Sequence, residues 1–177
     1  MPRRTSNWST RQAASTSERV LEGSARLAHL WRHFGCGCGV GRAERLRDEY
    51  DRFVDAGANV LAIGQGEPER AAWYKEKFAV PCPILCDLDE RVYRAYGLLE
   101  CSTWLLLGEP KPKQAYFEEL IQKHRAKGRR VADNPFLLPG EFVVDSAGRL
   151  ILAYRYQYCD NYPDAEALVA SIQEAGV

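Results

Sequence analysis

The chain has 177 residues, a length that suits a single domain with its own hydrophobic core. Its 24 Lys and Arg residues balance its 24 Asp and Glu residues, so the net charge favours neither nucleic acid nor an acidic membrane surface as a partner. No apolar run approaches the roughly 20 residues of a membrane span, and the N-terminus lacks the apolar segment of a secretory signal. We therefore expect a cytoplasmic protein that binds neither nucleic acid nor a membrane.

Residues 1–22 differ in composition from the rest of the chain. Arg3, Arg4 and Arg11 stand among many hydroxyl side chains, and no acidic residue precedes Glu18. Such a segment buries too little apolar surface to order itself, so we predict a disordered N-terminal tail. A transit peptide for an organelle has the same composition and is an open alternative. Residues 23–177 are predicted to form one domain.

Strand and helix patterns alternate from residue 23 onward. The pattern predicts strands over 25–31, 59–63 and 83–86, and helices over 43–56 and 68–78. Gly57 ends the first helix. Pro68 suits the first turn of the second helix, and Glu67 and Glu69 lie at its positive end.

The second half of the chain begins with a short helix across Arg91, Val92 and Ala95 that stops at Gly97, and Asp87 is a good N-cap for it. A helical insertion follows near 108–130, with a basic amphipathic helix over 111–127. Seven lysines or arginines in 111–130 form either a solvated face or a docking surface for a partner. Two strands, 141–145 and 150–156, are joined by a hairpin turn, and a helix over 163–174 closes the chain.

This order of elements predicts an α/β fold with a mixed central sheet of about five strands flanked by helices. Right-handed crossovers make the first three strands parallel and put the hairpin antiparallel beside the first strand. Ligands in such sheets bind at the carboxyl ends of the parallel strands. Residues 32–39, Gln65, Cys86 and Cys159 should therefore lie along one edge of the sheet.

Cys36 and Cys38 lie among three glycines where the first strand leads into the first helix. The free N–H groups and positive dipole end of a helix stabilise a thiolate, which is the nucleophilic form of cysteine. His33 could act as a general base for Cys36, or it could pack and cap a turn. A flexible glycine turn with two incidental cysteines is the simpler alternative.

The chain has six cysteines, at positions 36, 38, 82, 86, 101 and 159. In a domain of ordinary size they are predicted to be mostly reduced, with some reactive. The spacing of Cys82 and Cys86 raises the possibility of zinc bound together with Cys36 and Cys38. We expect these two pairs not to converge, because each pair flanks a different strand. We predict no metal and no cofactor.

Four segments resemble the peroxiredoxin-like branch of the alkyl hydroperoxide reductase/thiol-specific antioxidant superfamily over residues 25–175. They are Arg-His-Phe-Gly-Cys at 32–36, Ile-Gly-Gln at 63–65, Ile-Leu-Cys-Asp at 84–87 before Val-Tyr-Arg-Ala-Tyr-Gly-Leu at 92–98, and Pro-Gly-Glu-Phe-Val-Val-Asp at 139–145. The resemblance implies a thioredoxin-like fold with Cys36 as the redox-active residue. It also implies that Pro139 is a cis-proline facing Cys36, and that Gln65 helps to shape the site.

The chain departs from this family pattern at three places. His33 stands where true peroxiredoxins have Thr or Ser, three residues before the reactive cysteine. No arginine stands in sequence beside the strand after Pro139, and the nearest on the hairpin are Arg149 and Arg155. Cys38 follows Cys36 by two residues, where the branch often has a second cysteine after three.

The sequence thus predicts a thiol-dependent antioxidant oxidoreductase that reduces peroxides through Cys36. Cys38 would resolve the oxidised Cys36, with Cys159 in reserve. A thiol–disulfide oxidoreductase and a non-catalytic binding module of the same fold are the alternatives. The expected partners are a small peroxide or disulfide and a thioredoxin- or glutathione-type reductant, and a homodimer is left open.

Overall fold

A mixed sheet of five strands lies at the centre of the described structure, a computed structural model. The model describes residues 25–32, 34, 37–98, 100, 134, 136–158 and 161–176, except for the side chains of residues 37 and 38. The predicted tail at 1–22 and insertion near 108–130 lie outside these residues. Both, together with the single-domain boundary, remain predictions.

The strands are β1 (Ala25–Leu30), β2 (Ala58–Gly64), β3 (Ile84–Cys86), β4 (Gly140–Val144) and β5 (Leu150–Arg155). Their order across the sheet is β3-β2-β1-β4-β5. β1, β2 and β3 are parallel, whereas β4 is antiparallel to both β1 and β5. The predicted topology is therefore confirmed.

Four helices flank this sheet within the described residues: α1 (Gly37–Asp55), α2 (Pro68–Lys77), α3 (Arg91–Ala95) and α4 (Ala165–Ala175). None of them is long and apolar enough to cross a membrane. Pro68 begins α2 as predicted. Asp87 caps α3 from upstream, since its carboxylate accepts hydrogen bonds from the N–H groups of Arg91 and Val92 at 3.1 and 2.7 Å.

Helix α1 begins six residues earlier than its apolar pattern indicates. The prediction placed its start at residue 43, but the helix starts at Gly37. Its first turns contain three glycines, which have low helix propensity and gave the sequence no helical signal. The start at Gly37 puts Cys38 in the first turn of α1 and makes Cys36 the residue immediately before it.

The core lies on both faces of the sheet, because successive residues of a strand point to opposite sides. One face packs against α1 and α4 and includes Leu27, Trp31, Leu46, Phe53, Leu168 and Ile172. The other face includes Ala28, Leu30, Leu61, Ile63, Tyr93 and Phe142. His29 is two residues from both Leu27 and Trp31, so its side chain points to the same face of the sheet, the one that α1 covers.

The peptide bond before Pro139 is trans, as are all bonds between described residues, so the prediction of a cis-proline is wrong. Trans is the form that most X–Pro bonds adopt in folded proteins. Pro139 precedes Gly140, which pairs with Leu30 at the carboxyl end of β1. It therefore does lie at the predicted edge of the sheet.

Phe34 fills the space beside Gly64. A Cβ atom on Gly64 would lie 3.0 and 3.1 Å from two ring carbons of Phe34, and closer still to a third. The ring also packs on Tyr74, with centroids 5.0 Å apart. Phe34 stands two residues before Cys36, so Gly64 makes room for the side chain that anchors the segment leading to Cys36.

Gly64→Ala should therefore destabilise the fold, since the new methyl group has to displace a buried ring. We expect a loss of about 1–3 kcal/mol in the free energy of unfolding, the usual cost of overpacking. Gly41→Ala is the matched control, because a Cβ there meets only the Tyr162 hydroxyl at an ordinary 3.6 Å. Urea denaturation of both variants measures the difference, and equal midpoints would contradict this role of Gly64.

Candidate functional site

The carboxyl edge of the parallel strands brings together most of the predicted site positions that are described. Leu30 pairs with Ile63 on one side and with Gly140 on the other. Consequently Arg32, Gln65 and Pro139, which lie just beyond these paired residues, share one edge. Cys36, His33, Cys159 and the side chain of Cys38 lie outside the described part, so their roles remain predictions.

Gln65 joins the segment after β1 to a segment distant in sequence. Its side chain is buried, its amide nitrogen donates to the Arg32 carbonyl, and its amide oxygen accepts from the Asn134 N–H at 2.7 Å. The predicted site-shaping residue thus holds the backbone four residues before Cys36.

Tyr93 holds the backbone carbonyl of Trp31, the residue before Arg32. Its buried hydroxyl contacts the carbonyl of Trp31 and lies 2.9 Å from that of Ile63. The N–H of Trp31 donates to the Ile63 carbonyl at 2.8 Å, which extends the β1–β2 pairing by one residue. Side chains therefore fix two consecutive carbonyls, those of Trp31 and Arg32, before the chain reaches Cys36.

A cluster of buried charged and polar side chains lies between α1 and the sheet. Glu141 on β4 is at its centre and is 1% exposed. Arg42 on α1 donates to Glu141 at 2.8 Å, the hydroxyl of Tyr156 donates to the same oxygen at 2.7 Å, and His29 Nδ1 contacts the other oxygen. Tyr162 covers the arginine, with its ring centroid 5.6 Å from the guanidinium carbon.

Sequence reasoning missed this cluster. His29 lies within the predicted strand 25–31 and Glu141 begins the predicted strand 141–145, but neither pattern indicates a partner for the side chain. Arg42 stood one residue before the predicted start of α1. Arg42 of α1, which is far from β4 in sequence, reaches Glu141 in the folded chain, and Arg155 of β5 pairs with Gly140. The sequence signal that could have revealed the cluster is the presence of ionisable side chains, His29 and Glu141, between apolar neighbours in predicted strands.

The charges of the cluster stabilise one another. Burial alone would raise the pKa of Glu141, but Arg42, His29 and the hydrogen bonds from His29 and Tyr156 outweigh it and lower this pKa to about 2. Burial lowers the pKa of His29, despite the opposing attraction of Glu141. At neutral pH Glu141 is thus ionised and His29 is neutral. His29 Nδ1 contacts the carboxylate of Glu141 and lies 3.0 Å from Nη2 of Arg42.

The two thiols that the structure describes are not suited to act as thiolates. Cys82 is fully buried, and burial raises its pKa to about 11. Cys86 is half-buried at the end of β3, and burial followed by the charge of Glu69 raises its pKa. Both are free. Within the described ranges no group of three or more His, Cys, Asp or Glu side chains is arranged to hold a metal ion.

Comparison with known families identifies the class of protein. The sequence profile described as AhpC/TSA antioxidant enzyme matches residues 45–158. The chain therefore belongs to this family. The match starts after the segment with Cys36 and Cys38, so it bears on the fold and not on those two residues.

Two proteins of Mycobacterium tuberculosis named as peroxiredoxins, from strains CDC 1551 and H37Rv, are each 26% identical over 108 residues. The match covers 61% of this chain and 53% of theirs, so the chain spans about half the length of the curated relatives it matches.

Solved structures confirm the thioredoxin-like fold. A bacterioferritin comigratory protein of Xanthomonas campestris, studied for alkyl peroxide reduction, is 14% identical with a TM-score of 0.62 over 90% of this chain and 84% of that one. The peroxidoxin BcpB of M. tuberculosis is 12% identical with a TM-score of 0.60, over 89% and 84%. A thiol:disulfide interchange protein of Chlorobium tepidum is 15% identical with a TM-score of 0.55, over 92% and 85%.

The buried neutral His29 makes stability depend on pH. Its pKa is lower in the folded than in the unfolded chain, so the unfolded state binds the extra proton and stability is lost as pH falls below about 6.5. We expect the free energy of unfolding to fall by up to about 1.4 kcal/mol per pH unit between pH 6.5 and 5. Urea denaturation across this range measures it.

His29→Gln removes the titrating group while keeping an amide that can donate to Glu141, and should flatten this slope. The loss from Glu141 begins only below about pH 4.3, the ordinary pKa of Glu, and is therefore separate. A slope that is the same in the variant and the wild type would show that His29 is not the cause.

Proposed function

We propose that this protein is a thiol-dependent antioxidant oxidoreductase that reduces peroxides through Cys36. Membership of the AhpC/TSA family supports the reaction class. The observation that carries the choice of residue is the start of α1 at Gly37, since the residue before a helix lies beside its free N–H groups and positive dipole end. The fixed carbonyls of Trp31 and Arg32 support a well-defined position for the segment that leads there.

The proposed first step is attack of the Cys36 thiolate on a peroxide. A sulfur–oxygen bond forms, the oxygen–oxygen bond breaks, and the departing alkoxide or hydroxide takes a proton and leaves as alcohol or water. Cys36 is left as a sulfenic acid. His33 is proposed as the base that removes the proton from the Cys36 thiol.

The proposed second step is formation of a disulfide, in which a second thiol displaces water from the sulfenic acid. Cys38 is the first choice because it is two residues away. Its place in the first turn of α1 means that this turn has to rearrange before Cys38 can reach Cys36. Cys159 is the alternative, supported by the packing of the nearby Tyr162 over Arg42 and Arg45 of α1.

Thiol–disulfide exchange is the second candidate function. The same cysteine would then attack a disulfide and form a mixed disulfide that Cys38 releases. The closely spaced Cys36 and Cys38 and the histidine at position 33, where Thr or Ser is expected, favour this alternative. It needs the same thiolate, so the two functions differ only in substrate.

The proposed partners follow from this chemistry. The substrate is a small peroxide or disulfide, and the reductant is a protein or peptide thiol of thioredoxin or glutathione type. A reducing compartment such as the cytoplasm is supported by the free thiols of Cys82 and Cys86. A homodimer remains open.

Cys36→Ser should abolish peroxide consumption, because serine cannot form the sulfenic acid. In Cys38→Ser we expect slower turnover and either an accumulated sulfenic acid or a Cys36–Cys159 disulfide. Hydrogen peroxide consumption with a thioredoxin or glutathione reductant measures the rate, and mass spectrometry after one equivalent of peroxide identifies the product. Reduction of insulin disulfides, assayed in parallel, distinguishes the second candidate function.

Cys86→Ser is the matched control, since it makes the same chemical change at the same edge of the sheet. It should retain the activity of the wild type. Full activity in Cys36→Ser would contradict the proposal, and an unchanged rate and product in Cys38→Ser would assign resolution to another thiol.

A further inference from the structure

We propose that the buried ion pair of Arg42 and Glu141 is a positioning device for the thiol site. It holds the first half of α1 against β4, and so fixes where that helix begins. The proposal rests on the function proposed above, because that function needs α1 to start beside Cys36. Arg42 and Glu141 are thus positioning residues, not residues that touch the substrate.

The ion pair joins two parts of the chain that are distant in sequence. Arg42 and Glu141 are 99 residues apart in sequence. Arg42 lies one helical turn after Cys38, and Glu141 follows Pro139 by two residues. The link therefore connects the start of α1 to the strand that enters the sheet at the candidate site.

Side chains from several helices and strands also contact Arg42 and Glu141 and hold them in place. The carboxylate of Glu141 is contacted by His29 of β1 and accepts a hydrogen bond from Tyr156, the residue after β5. On α1 itself, Glu49 approaches Arg42 at 3.7 Å. The rings of Tyr156 and Tyr162 meet edge to face at 5.9 Å, and the second of them covers the guanidinium. The orientation of Arg42 is consequently fixed on several sides.

Stability alone does not explain the cluster. Arg42 Nη1 and His29 Nε2 are buried and have no hydrogen-bond partner among the described residues. Unpartnered buried polar atoms are costly, and well-packed apolar side chains often replace a buried ion pair without loss of stability. What an apolar pair lacks is the directional contact that fixes one register of helix against strand.

This difference gives a direct test with three variants. Arg42→Met and Glu141→Gln each leave one buried charge without its partner, and both should lower the thermal midpoint. The double variant, in which neither charge remains, should regain most of that midpoint. We expect its rate of peroxide reduction to stay lower than that of the wild type by about tenfold or more, since small misplacements of a reactive group are costly.

Arg47→Met is the matched control, because Arg47 lies on the same helix but is exposed and pairs with its exposed neighbour Asp48. It should leave both midpoint and rate unchanged. Arg42→Lys keeps the charge and should restore part of the rate. If the double variant regains the full rate along with its midpoint, the pair has only a structural role and the proposal is overturned.

A second readout separates this proposal from the proposed function. The rate at which iodoacetamide labels Cys36 in the folded protein, followed by peptide mapping, does not depend on any substrate. We expect this rate to differ between the wild type and the stable double variant, even if neither consumes peroxide. Equal labelling rates would overturn the positioning role, whereas an inactive wild type with a changed rate would count against the proposed function alone.

Discussion

The ionised carboxylate of Glu141, buried between α1 and the sheet, is the constraint around which this edge of the molecule is organised. A carboxylate is costly to bury unless it is paired and hydrogen-bonded. Glu141 obtains its partners from β1, from α1 and from the residue after β5. The three elements that surround the candidate site are therefore tied to one another through a single side chain.

A second set of contacts fixes the segment between β1 and α1. Gln65 and Tyr93 hold its backbone carbonyls, while Phe34 occupies the space that Gly64 leaves open. Two residues of the Ile-Gly-Gln element thus have separate structural roles: glycine admits a ring and glutamine supplies an amide. The Ile-Gly-Gln element that resembles the family therefore has a physical role, because its glycine and glutamine hold the residues before Cys36 in place.

The sequence predicted the sheet well because its strands carry local apolar patterns, and the parallel order follows from the crossover rule. It misplaced the start of α1, since glycines at 37, 39 and 41 mask a helix whose first turns are stabilised by tertiary contacts. The pairing of Arg42 with Glu141 lay beyond any local pattern, because the two residues meet only once the sheet has formed. The cis form of Pro139 was inferred from resemblance and is wrong.

The reactivity of Cys36 is the claim on which the proposed function depends, and its titration tests that claim most directly. Iodoacetamide labelling of the wild type across a range of pH, with peptide mapping, gives the half-point of this thiol. We predict a half-point below roughly 8.5, the value of a free cysteine, because the start of α1 stabilises the thiolate. A half-point at or above that value would contradict the assignment of Cys36 as the nucleophile.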